Sequence, residues 1–399
     1  MNFQTKQIFS PLKVIFVNSL TPAGQMIIMK MLAGKVFGDK QLIDFVFLVY
    51  SNEIAAAEIL RLELINCSFP CYNDIIVSSD IPRISDANVF CVITNLSNPN
   101  KIDLKNPISE EDFNALYLMI KVASNFSYDG NENEIDNNIS LQNAMIAKAP
   151  SRKSIIMTDG LAVIDIMKSL SKDIPSDQFF CATAIPDVAQ TILANHLKVQ
   201  YNDINDVLVW AANDNKLHVE VIKPVVRNDD VTDSLKCNWG IISKKLLTSS
   251  GRNHTQFSPS WLKKEFIEKV VSTTSKNPYG PISRASVFCN ALKEVWAART
   301  GEFEKKTYYN LGVISDGSLG TIKGYPYILP LVICGDCWTI NNAFNEEIQL
   351  RNELKRINKE VKQQHEMLIP YCRKFLVENV INKDFVLPNE DGSTISSFN

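Results

Sequence analysis

One βαβ pattern near the start of the chain limits its possible folds more than any other stretch. A β-branched apolar run at residues 14–17 is followed by a polar turn over residues 18–25 and a helical pattern over residues 26–32. A second apolar run at residues 45–49 closes the pattern. Strand, turn, helix and strand over this length form one βαβ unit, which places two parallel strands side by side. Residues 14–53 therefore predict the start of a parallel sheet.

The turn of this unit differs from the usual dinucleotide-binding turn. In that turn, glycines let the backbone approach a pyrophosphate at the helix N-terminus, and a carboxylate after the second strand holds the ribose. Here the turn contains Pro22 and one glycine, Gly24, followed by Gln25. Gly24 and Gln25 are the candidate cofactor-binding residues, and Glu53 is the acid that follows the second strand. NAD binding would therefore depend on few residues.

Alternating strands and helices continue to about residue 178. The predicted strands lie at residues 75–78, 89–94 and 154–157, and the predicted helices at residues 54–65, 110–124 and 163–170. Such alternation predicts a doubly wound parallel sheet. Residues 95–108 are typical of a loop, and residues 125–140, which are dense in Asn, Asp and Glu, are typical of an exposed insertion.

The second half of the chain has a different pattern, with long helices and shorter strands that we expect to be antiparallel. The predicted helices lie at residues 187–197, 259–272, 283–299 and 346–374, and the strands at residues 207–210, 217–222, 310–315, 328–334 and 338–340. We divide the chain into a Rossmann NAD-binding-like domain (residues 14–178), an α+β domain (residues 179–375) and a polar tail (residues 376–399).

Several short motifs resemble those of the lactate/malate dehydrogenase family, and they keep the family order over roughly residues 14–372. They are Val36-Phe37-Gly38, Leu62-Glu63-Leu64-Ile65-Asn66-Cys67, Trp261-Leu262-Lys263-Lys264-Glu265-Phe266, Thr300-Gly301-Glu302-Phe303 and Leu311-Gly312-Val313-Ile314-Ser315-Asp316-Gly317. The resemblance implies an α/β fold, with an N-terminal Rossmann doubly wound parallel sheet followed by an α+β C-terminal lactate/malate dehydrogenase-type domain. It also implies NAD as cofactor and a homodimer.

The resemblance assigns catalytic roles to positions that this chain fills with other residue types. In the family a histidine exchanges the hydroxyl proton, and an aspartate orients that histidine. The histidine position falls at Asn213, whose amide does not exchange protons near neutral pH. The aspartate position falls at Pro186. The adjacent Asp187 is either the orienting aspartate, after a one-residue gap, or a cap for the helix that follows.

Arginine is missing from the positions that would bind the substrate carboxylates. The loop over residues 95–108 contains no arginine, and Asn98 and Pro99 stand at its first arginine position. Its lysines are point charges rather than bidentate forks. Ala189 stands at a third arginine position, and residues 158–161 replace a motif expected beside nicotinamide and substrate.

These replacements predict a member of the NAD-dependent malate/oxaloacetate oxidoreductase family with weak or no catalysis. The family assignment favours an NAD-dependent malate dehydrogenase, whereas the residues favour a catalytically degenerate binding or structural subunit. An NAD(H) sensor that binds the dinucleotide without reducing anything is the third alternative.

Two further patterns allow both a functional and an ordinary structural interpretation. Cys334-Gly335-Asp336-Cys337 has the spacing of redox and zinc motifs, but it also suits a two-residue hairpin turn, and no second ligand pair accompanies it. We therefore predict no metal site. The charged helix at residues 346–374 is either a solvated face with i,i+4 ion pairs or a surface for a protein partner.

Composition argues against nucleic acid and membrane as partners. The 399 residues carry a net charge of −3, so no electrostatic attraction to nucleic acid or an anionic membrane is expected. No apolar run reaches the roughly 18 residues that span a bilayer. Residues 1–13 lack a secretory pattern, so we expect a cytoplasmic protein whose nine cysteines are buried, reduced thiols.

Overall fold

The computed structural model describes most of the chain. The described residues are 10–80, 87–104, 108–126, 154–171, 174–197, 200–201, 204, 207–221, 261–276, 279–301, 308–341, 344 and 348–381. Most of the predicted insertion at residues 125–140 and most of the predicted tail at residues 376–399 lie outside the described residues.

The N-terminal half contains six parallel strands. They are β1 (Leu12–Val17), β2 (Ile43–Leu48), β3 (Tyr72–Ser78), β4 (Val89–Val92), β5 (Ile155–Thr158) and β6 (Phe179–Cys181). Their order is β3-β2-β1-β4-β5-β6, so the sheet is doubly wound. The chain adds strands on one side of β1 and then, from β4 onward, on the other side, so the strand order reverses between β1 and β4. Ligands of such sheets bind beside the carboxyl ends of the strands at this reversal. The predicted Rossmann-type sheet is confirmed.

Five further strands extend the same sheet in antiparallel pairing. They are β7 (Val207–Asn213), β8 (Lys216–Val221), β9 (Tyr309–Ile314), β10 (Pro326–Cys334) and β11 (Cys337–Thr339). Strand β9 pairs with β6, and the order continues as β9-β10-β7-β8, while β11 pairs with β10. One continuous sheet therefore runs through both halves of the chain.

Helices cover both faces of the sheet. They are α1 (Pro22–Leu32), α2 (Ile54–Asn66), α3 (Glu110–Asn125), α4 (Leu161–Leu170), α5 (Ile185–Leu197), α6 (Ile267–Thr274), α7 (Pro281–Thr300) and α8 (Ile348–Phe375). One core packs α1, α2, α7 and the first half of α8 against the sheet, and the other packs α3, α4, α5, α6 and the end of α8. Within the described ranges, no helix combines the length and apolarity needed to cross a membrane.

Two helices begin earlier than predicted, which moves candidate site residues. Helix α1 begins at Pro22, because proline suits the first helical position and Thr21 caps the helix. Gly24 and Gln25 therefore lie in the first turn of the helix and not in the loop before it. Helix α5 begins at Ile185, so the interpretation of Asp187 as a helix cap is wrong, and Asp187 lies inside the first turn.

The expectation that all cysteines are buried is wrong for three of them. Five of the described cysteines are buried, whereas Cys67, Cys334 and Cys337 are exposed. The hairpin interpretation of residues 334–337 is confirmed, because β10 and β11 pair on either side of a two-residue turn. Cys334 and Cys337 are exposed because they lie at the tip of this hairpin.

Candidate functional site

A cleft of about 480 Å³ lies at the carboxyl edge of the sheet, where β1, β2 and β4 end. Its volume falls in the range typical of small-molecule sites. Residues after β1, β2 and β4, together with residues of α3 and α7, form its walls. The polar and charged members are Asn18, Tyr50, Glu53, Asn95, Ser97, Glu111, Asn114, Tyr279 and Arg284. The cleft therefore lies where the strand order reverses, as expected for this architecture.

The N-terminus of α1 offers few backbone donors to this cleft. Pro22 has no N–H group, and the Thr21 hydroxyl oxygen accepts the N–H of Gly24 at 3.1 Å. The N–H of Gln25 donates to the carbonyl of Thr21 at 2.9 Å. Among the described residues of the first helical turn, Pro22 to Gln25, the amide of Ala23 is the remaining backbone donor. A phosphate here would meet a helix N-terminus with one backbone amide outside these bonds.

Gly24 and Gln25 stabilise the turn itself. A Cβ atom on Gly24 would lie 2.8 Å from the carbonyl oxygen of Asn18 and 2.9 Å from the Thr21 hydroxyl, so a glycine is required there. The side-chain amide of Gln25 donates to the carbonyl of Leu20 at 3.2 Å. Neither residue lines the cleft, and their role as cofactor-binding residues stays a prediction.

Tyr50 and Glu53 form the wall that follows β2. The carboxylate of Glu53 accepts the backbone N–H of Tyr50 at 3.4 Å, and burial raises the pKa of Glu53. The hydroxyl of buried Tyr50 donates to the carbonyl of Asn114 in α3 at 3.4 Å. Glu53 lies on a 3₁₀ turn immediately before α2, where its carboxylate can accept hydrogen bonds from ligand hydroxyl groups.

Beside the cleft, a buried ion pair fills the space above β5. The Arg284 guanidinium in α7 lies 2.8 Å from the carboxylate of Asp159, which also accepts the backbone N–H of Thr94 at 2.9 Å. Arg284 donates further to the carbonyls of Thr94, Leu96 (2.9 Å) and Tyr279 (3.3 Å). Burial raises the pKa of Asp159, and the contacts with Arg284 and Thr94 oppose this. Together these bonds join α7 to the segments that follow β4 and β5.

Asn100 holds that loop against the sheet. Its side-chain amide donates to the carboxylate of Asp214 at 3.0 Å and to the hydroxyl of Tyr279 at 3.2 Å. Its side-chain oxygen accepts the N–H of Leu161 at 3.0 Å, and the Tyr279 hydroxyl donates to Asp214. Both Asn100 and Asp214 are buried, so these bonds are shielded from water.

A glycine lets the loop lie directly on the start of α4. The carbonyl of Pro99 accepts the N–H of Ala162 at 3.0 Å. A Cβ atom on Gly160 would lie 2.3 Å from the Pro99 carbonyl oxygen, so any side chain there would displace the loop. The ammonium of Lys101 adds an ion pair with Glu360 of α8 at 3.2 Å. The described part of the loop is thus bound to α4, α7 and α8.

Asn213, at the end of β7, uses its side chain for structural bonds. Its oxygen accepts the N–H groups of Asn215 (2.8 Å) and Lys216 (3.0 Å), and its amide donates to Glu360 at 3.2 Å. Asp187 is not among these partners; its carboxylate accepts the Tyr201 hydroxyl at 2.9 Å. The structure therefore does not join Asn213 and Asp187 by a hydrogen bond.

Comparisons with known sequences point to one group of proteins. The cytoplasmic malate dehydrogenase of Zea mays is 20% identical over 342 residues, which cover 83% of this chain and 89% of that protein. The cytoplasmic malate dehydrogenase of Homo sapiens is 21% identical over 362 residues, covering 85% of this chain and 93% of that protein. No family model matches the chain.

Solved structures agree with these sequence matches. The lactate dehydrogenase of Trichomonas vaginalis in complex with NADH and oxamate matches with a TM-score of 0.64 and 13% identity, over 91% of this chain and 99% of that one. The malate dehydrogenase of Naegleria fowleri matches with a TM-score of 0.63 and 12% identity, over 92% of this chain and all of that one. This chain is a divergent relative of the lactate/malate dehydrogenase family. The resemblance expected from the short motifs is confirmed.

Sequence reasoning missed three residues that hold the loop after β4 in this chain. They are Arg284, Asp214 and Tyr279. One signal was present for Arg284. It lies four positions before Phe288 and in phase with Leu292 of α7, so a charged residue shares the face of the helix that carries these buried apolar residues. A charge at such a position needs a buried partner.

Proposed function

We propose that this protein is a member of the NAD-dependent lactate/malate dehydrogenase family that binds ligands without dehydrogenase turnover. The observation that carries the proposal is the bonding of Asn213, which stands at the proton-transfer position of the resemblance. Its side-chain oxygen accepts two backbone N–H groups of the following turn, and its side-chain nitrogen donates to Glu360. General acid–base catalysis contributes about 10²–10⁴ in rate, and an amide cannot supply it.

The loop after β4 supports the same proposal. The resemblance assigns this loop the task of bringing an arginine to the substrate. Here Pro99, Asn100 and Lys101 bind it to α4, Asp214 and Glu360, where it carries no guanidinium. A dicarboxylate substrate would therefore lack its planar, bidentate partner.

An assay with oxaloacetate and NADH tests the proposal. Loss of NADH absorbance should match a protein-free control. The variant Asn213→His should stay equally inactive, because the loop contacts and the missing arginines are unchanged. Turnover that rises in proportion to protein concentration, and that disappears in Asn213→Ala, would contradict the proposal.

A retained NAD(H) site is the second candidate function, and the cleft of about 480 Å³ favours it. The relative from Trichomonas vaginalis was solved with NADH. Here the Ala23 amide and the N-terminus of α1 would face a phosphate, and Glu53 would accept hydroxyl groups of a ribose. When bound, NAD would supply a hydride acceptor. With one backbone amide outside the internal bonds of this turn, we expect weaker binding than a glycine-rich turn gives.

Isothermal titration with NAD, NADH and adenosine tests this second candidate. Saturable heats with NADH support a retained nucleotide site. Titrations of NAD and NADH that release no heat at millimolar concentration would exclude it and leave a structural or protein-binding role. The oxaloacetate assay tests turnover and the titration tests binding, so either proposal can be contradicted without the other.

We further propose a homodimer that forms through α2. Ile59 is 60% exposed and Leu62 is 53% exposed on the same side of this helix, and exposed apolar clusters mark interfaces. Sedimentation should show a dimer that Ile59→Lys/Leu62→Lys dissociates. The control Ile282→Lys changes an exposed large apolar residue of α7 and should leave the dimer intact. A monomeric wild-type protein would contradict this proposal.

The outer side of α8 carries ion pairs along the helix. Arg356 contacts Glu353 at 2.8 Å, and Lys362 contacts Glu366 at 3.7 Å. The inner side packs against the sheet and α4. These pairs favour the solvated-face interpretation, and a protein partner on this side stays a prediction.

A further inference from the structure

The hairpin between β10 and β11 places two exposed thiols opposite each other. Cys334 and Cys337 are partners in the antiparallel register, and the next pair is Ile333 with Trp338. Both cysteines are exposed. Gly335 has φ +59°, which permits the two-residue turn between them. Two cysteines therefore occupy directly facing positions on neighbouring strands.

This register satisfies the spacing of a disulfide. Facing residues of an antiparallel pair have Cα atoms about 4.5–5.5 Å apart. Disulfides span Cα separations of about 4.4–6.8 Å. A bond between Cys334 and Cys337 therefore requires side-chain rotation and little backbone movement. The third exposed cysteine, Cys67, follows α2, in a different part of the molecule.

The turn between the two thiols is held in place by its own contacts. The carboxylate of Asp336 lies 3.8 Å from the guanidinium of Arg299, a buried side chain of α7. Arg299 in turn lies over the ring of Phe180 in β6, with its central carbon 5.5 Å from the ring centre. Trp338 is buried beside the turn. The hairpin tip thus presents the thiols to solvent on a fixed backbone.

We propose that Cys334 and Cys337 form a reversible disulfide and act as a thiol–disulfide exchange site for a small disulfide such as oxidised glutathione. One cysteine thiolate attacks a sulfur of the oxidant, forms a mixed disulfide and releases one glutathione thiolate. The second cysteine thiolate attacks the mixed disulfide and releases the second glutathione thiolate. Two electrons pass from the cysteines to the oxidant, and the two thiol protons end on the released glutathiones.

The small ring and the exposed position make this bond a reversible one. Disulfides gain stability mainly from closing long loops, and this one closes a loop of only four residues. Exposed disulfides are the readily reduced ones. The proposal depends on the hairpin alone and is independent of any dehydrogenase activity or nucleotide binding.

Redox titration of the full-length protein tests this proposal. The protein is equilibrated over a series of reduced-to-oxidised glutathione ratios, blocked with N-ethylmaleimide, digested and analysed by mass spectrometry. We expect one transition, in which the segment with Cys334 and Cys337 loses two hydrogens and takes up no blocking reagent. In Cys334→Ser and Cys337→Ser, the remaining cysteine should stop at the mixed disulfide. Circular dichroism verifies that both variants are folded.

Cys67→Ser is the matched control and should keep the wild-type transition. The proposal fails if both hairpin cysteines remain alkylated at every glutathione ratio. It also fails if each carries a glutathione without an internal bond. Protection of both thiols by added Zn²⁺, with no oxidation at any glutathione ratio, would assign a metal-binding hairpin instead and overturn the exchange site.

Discussion

The two parts of the carboxyl edge of the sheet differ in how their space is used. Beside β1, β2 and β4 a cleft of about 480 Å³ remains, with hydrogen-bonding groups on its walls. Beside β5 and β7 the chain fills the space with its own side chains, chiefly Arg284 against Asp159 and Asn100 against Asp214. The fold can therefore keep an open cleft beside β1, β2 and β4 while internal contacts fill the adjacent region beside β5 and β7.

The filled part couples several elements through buried polar bonds, and such networks are costly to break. In the open part, the cleft residues Glu53 and Glu111 are more exposed and belong to no such buried network. Substitutions in the two parts should therefore have different effects, large losses of stability in one and changes in ligand affinity in the other.

The largest effect is expected from Arg284→Met. Removing the guanidinium leaves the carboxylate of Asp159 buried without its cation, which costs about 3–5 kcal/mol. Urea denaturation followed by circular dichroism measures the loss. The double variant Arg284→Met/Asp159→Asn should recover part of it, because no unpaired charge remains. A loss below about 1 kcal/mol in the single variant would show that the pair is solvated.

Gly160→Ala should weaken the contact between loop and helix. Its new methyl group would clash with the Pro99 carbonyl, and overpacking of this kind costs about 1–3 kcal/mol. Hydrogen exchange should speed up at the Ala162 amide, because this amide donates its hydrogen bond to the Pro99 carbonyl. The control is Gly280→Ala, where the added Cβ meets nothing within 4 Å. Equal protection of the Ala162 amide in both variants would contradict the described loop position.

The pH dependence of Asp214 gives a third test. Burial raises the pKa of Asp214 in the folded state, while hydrogen bonds from Tyr279 and Asn100 oppose the rise. A raised folded pKa adds stability below the unfolded pKa of about 3.9, and that stability is lost as pH rises through the folded pKa. The stability of wild type relative to Asp214→Asn should therefore fall as pH rises from below about 3.9 through the folded-state pKa. Urea denaturation of both proteins at a series of pH values measures this difference. A difference in stability that grows with rising pH would contradict the raised pKa of Asp214.

The smallest effect on stability is expected in the open cleft. Glu53→Gln should change the free energy of unfolding by less than about 0.5 kcal/mol, because the amide oxygen can still accept the Tyr50 N–H. If NADH binds, its affinity should fall about 5-fold through the loss of a charged acceptor. Titration of Glu111→Gln, a change in the opposite wall, is the control. Equal losses in both variants would indicate a general effect of charge rather than a contact with Glu53.

The sequence was sufficient for the fold because the strands and helices repeat simple periodic patterns. The boundary of α1 was harder to predict, since Thr21, Pro22 and Gly24 suit a turn and a capped helix start equally well. Asn213 could be flagged through family resemblance alone, and its partner Glu360 lies on another helix.

The contacts that fill the site could not be predicted from local patterns. Asp159 and Arg284 are separated by 125 positions, and Asn100 and Asp214 by 114. Asp159, Asn100 and Asp214 each resemble an ordinary loop residue, and Arg284 shows a buried phase on α7 without indicating its partner. Only the three-dimensional fold brings their charges together, because pairing is decided by which strands and helices become neighbours.

The continuity of the sheet also affects how the chain can be made. Phe180 of β6 pairs with Val313 of β9, about a third of the chain further on. During synthesis β6 is therefore complete long before its partner emerges, and it presents an unpaired strand edge, which favours aggregation. A nascent chain that stalls before residue 309 would keep that edge open, so this protein should depend on chaperones more while it is being translated than after its release.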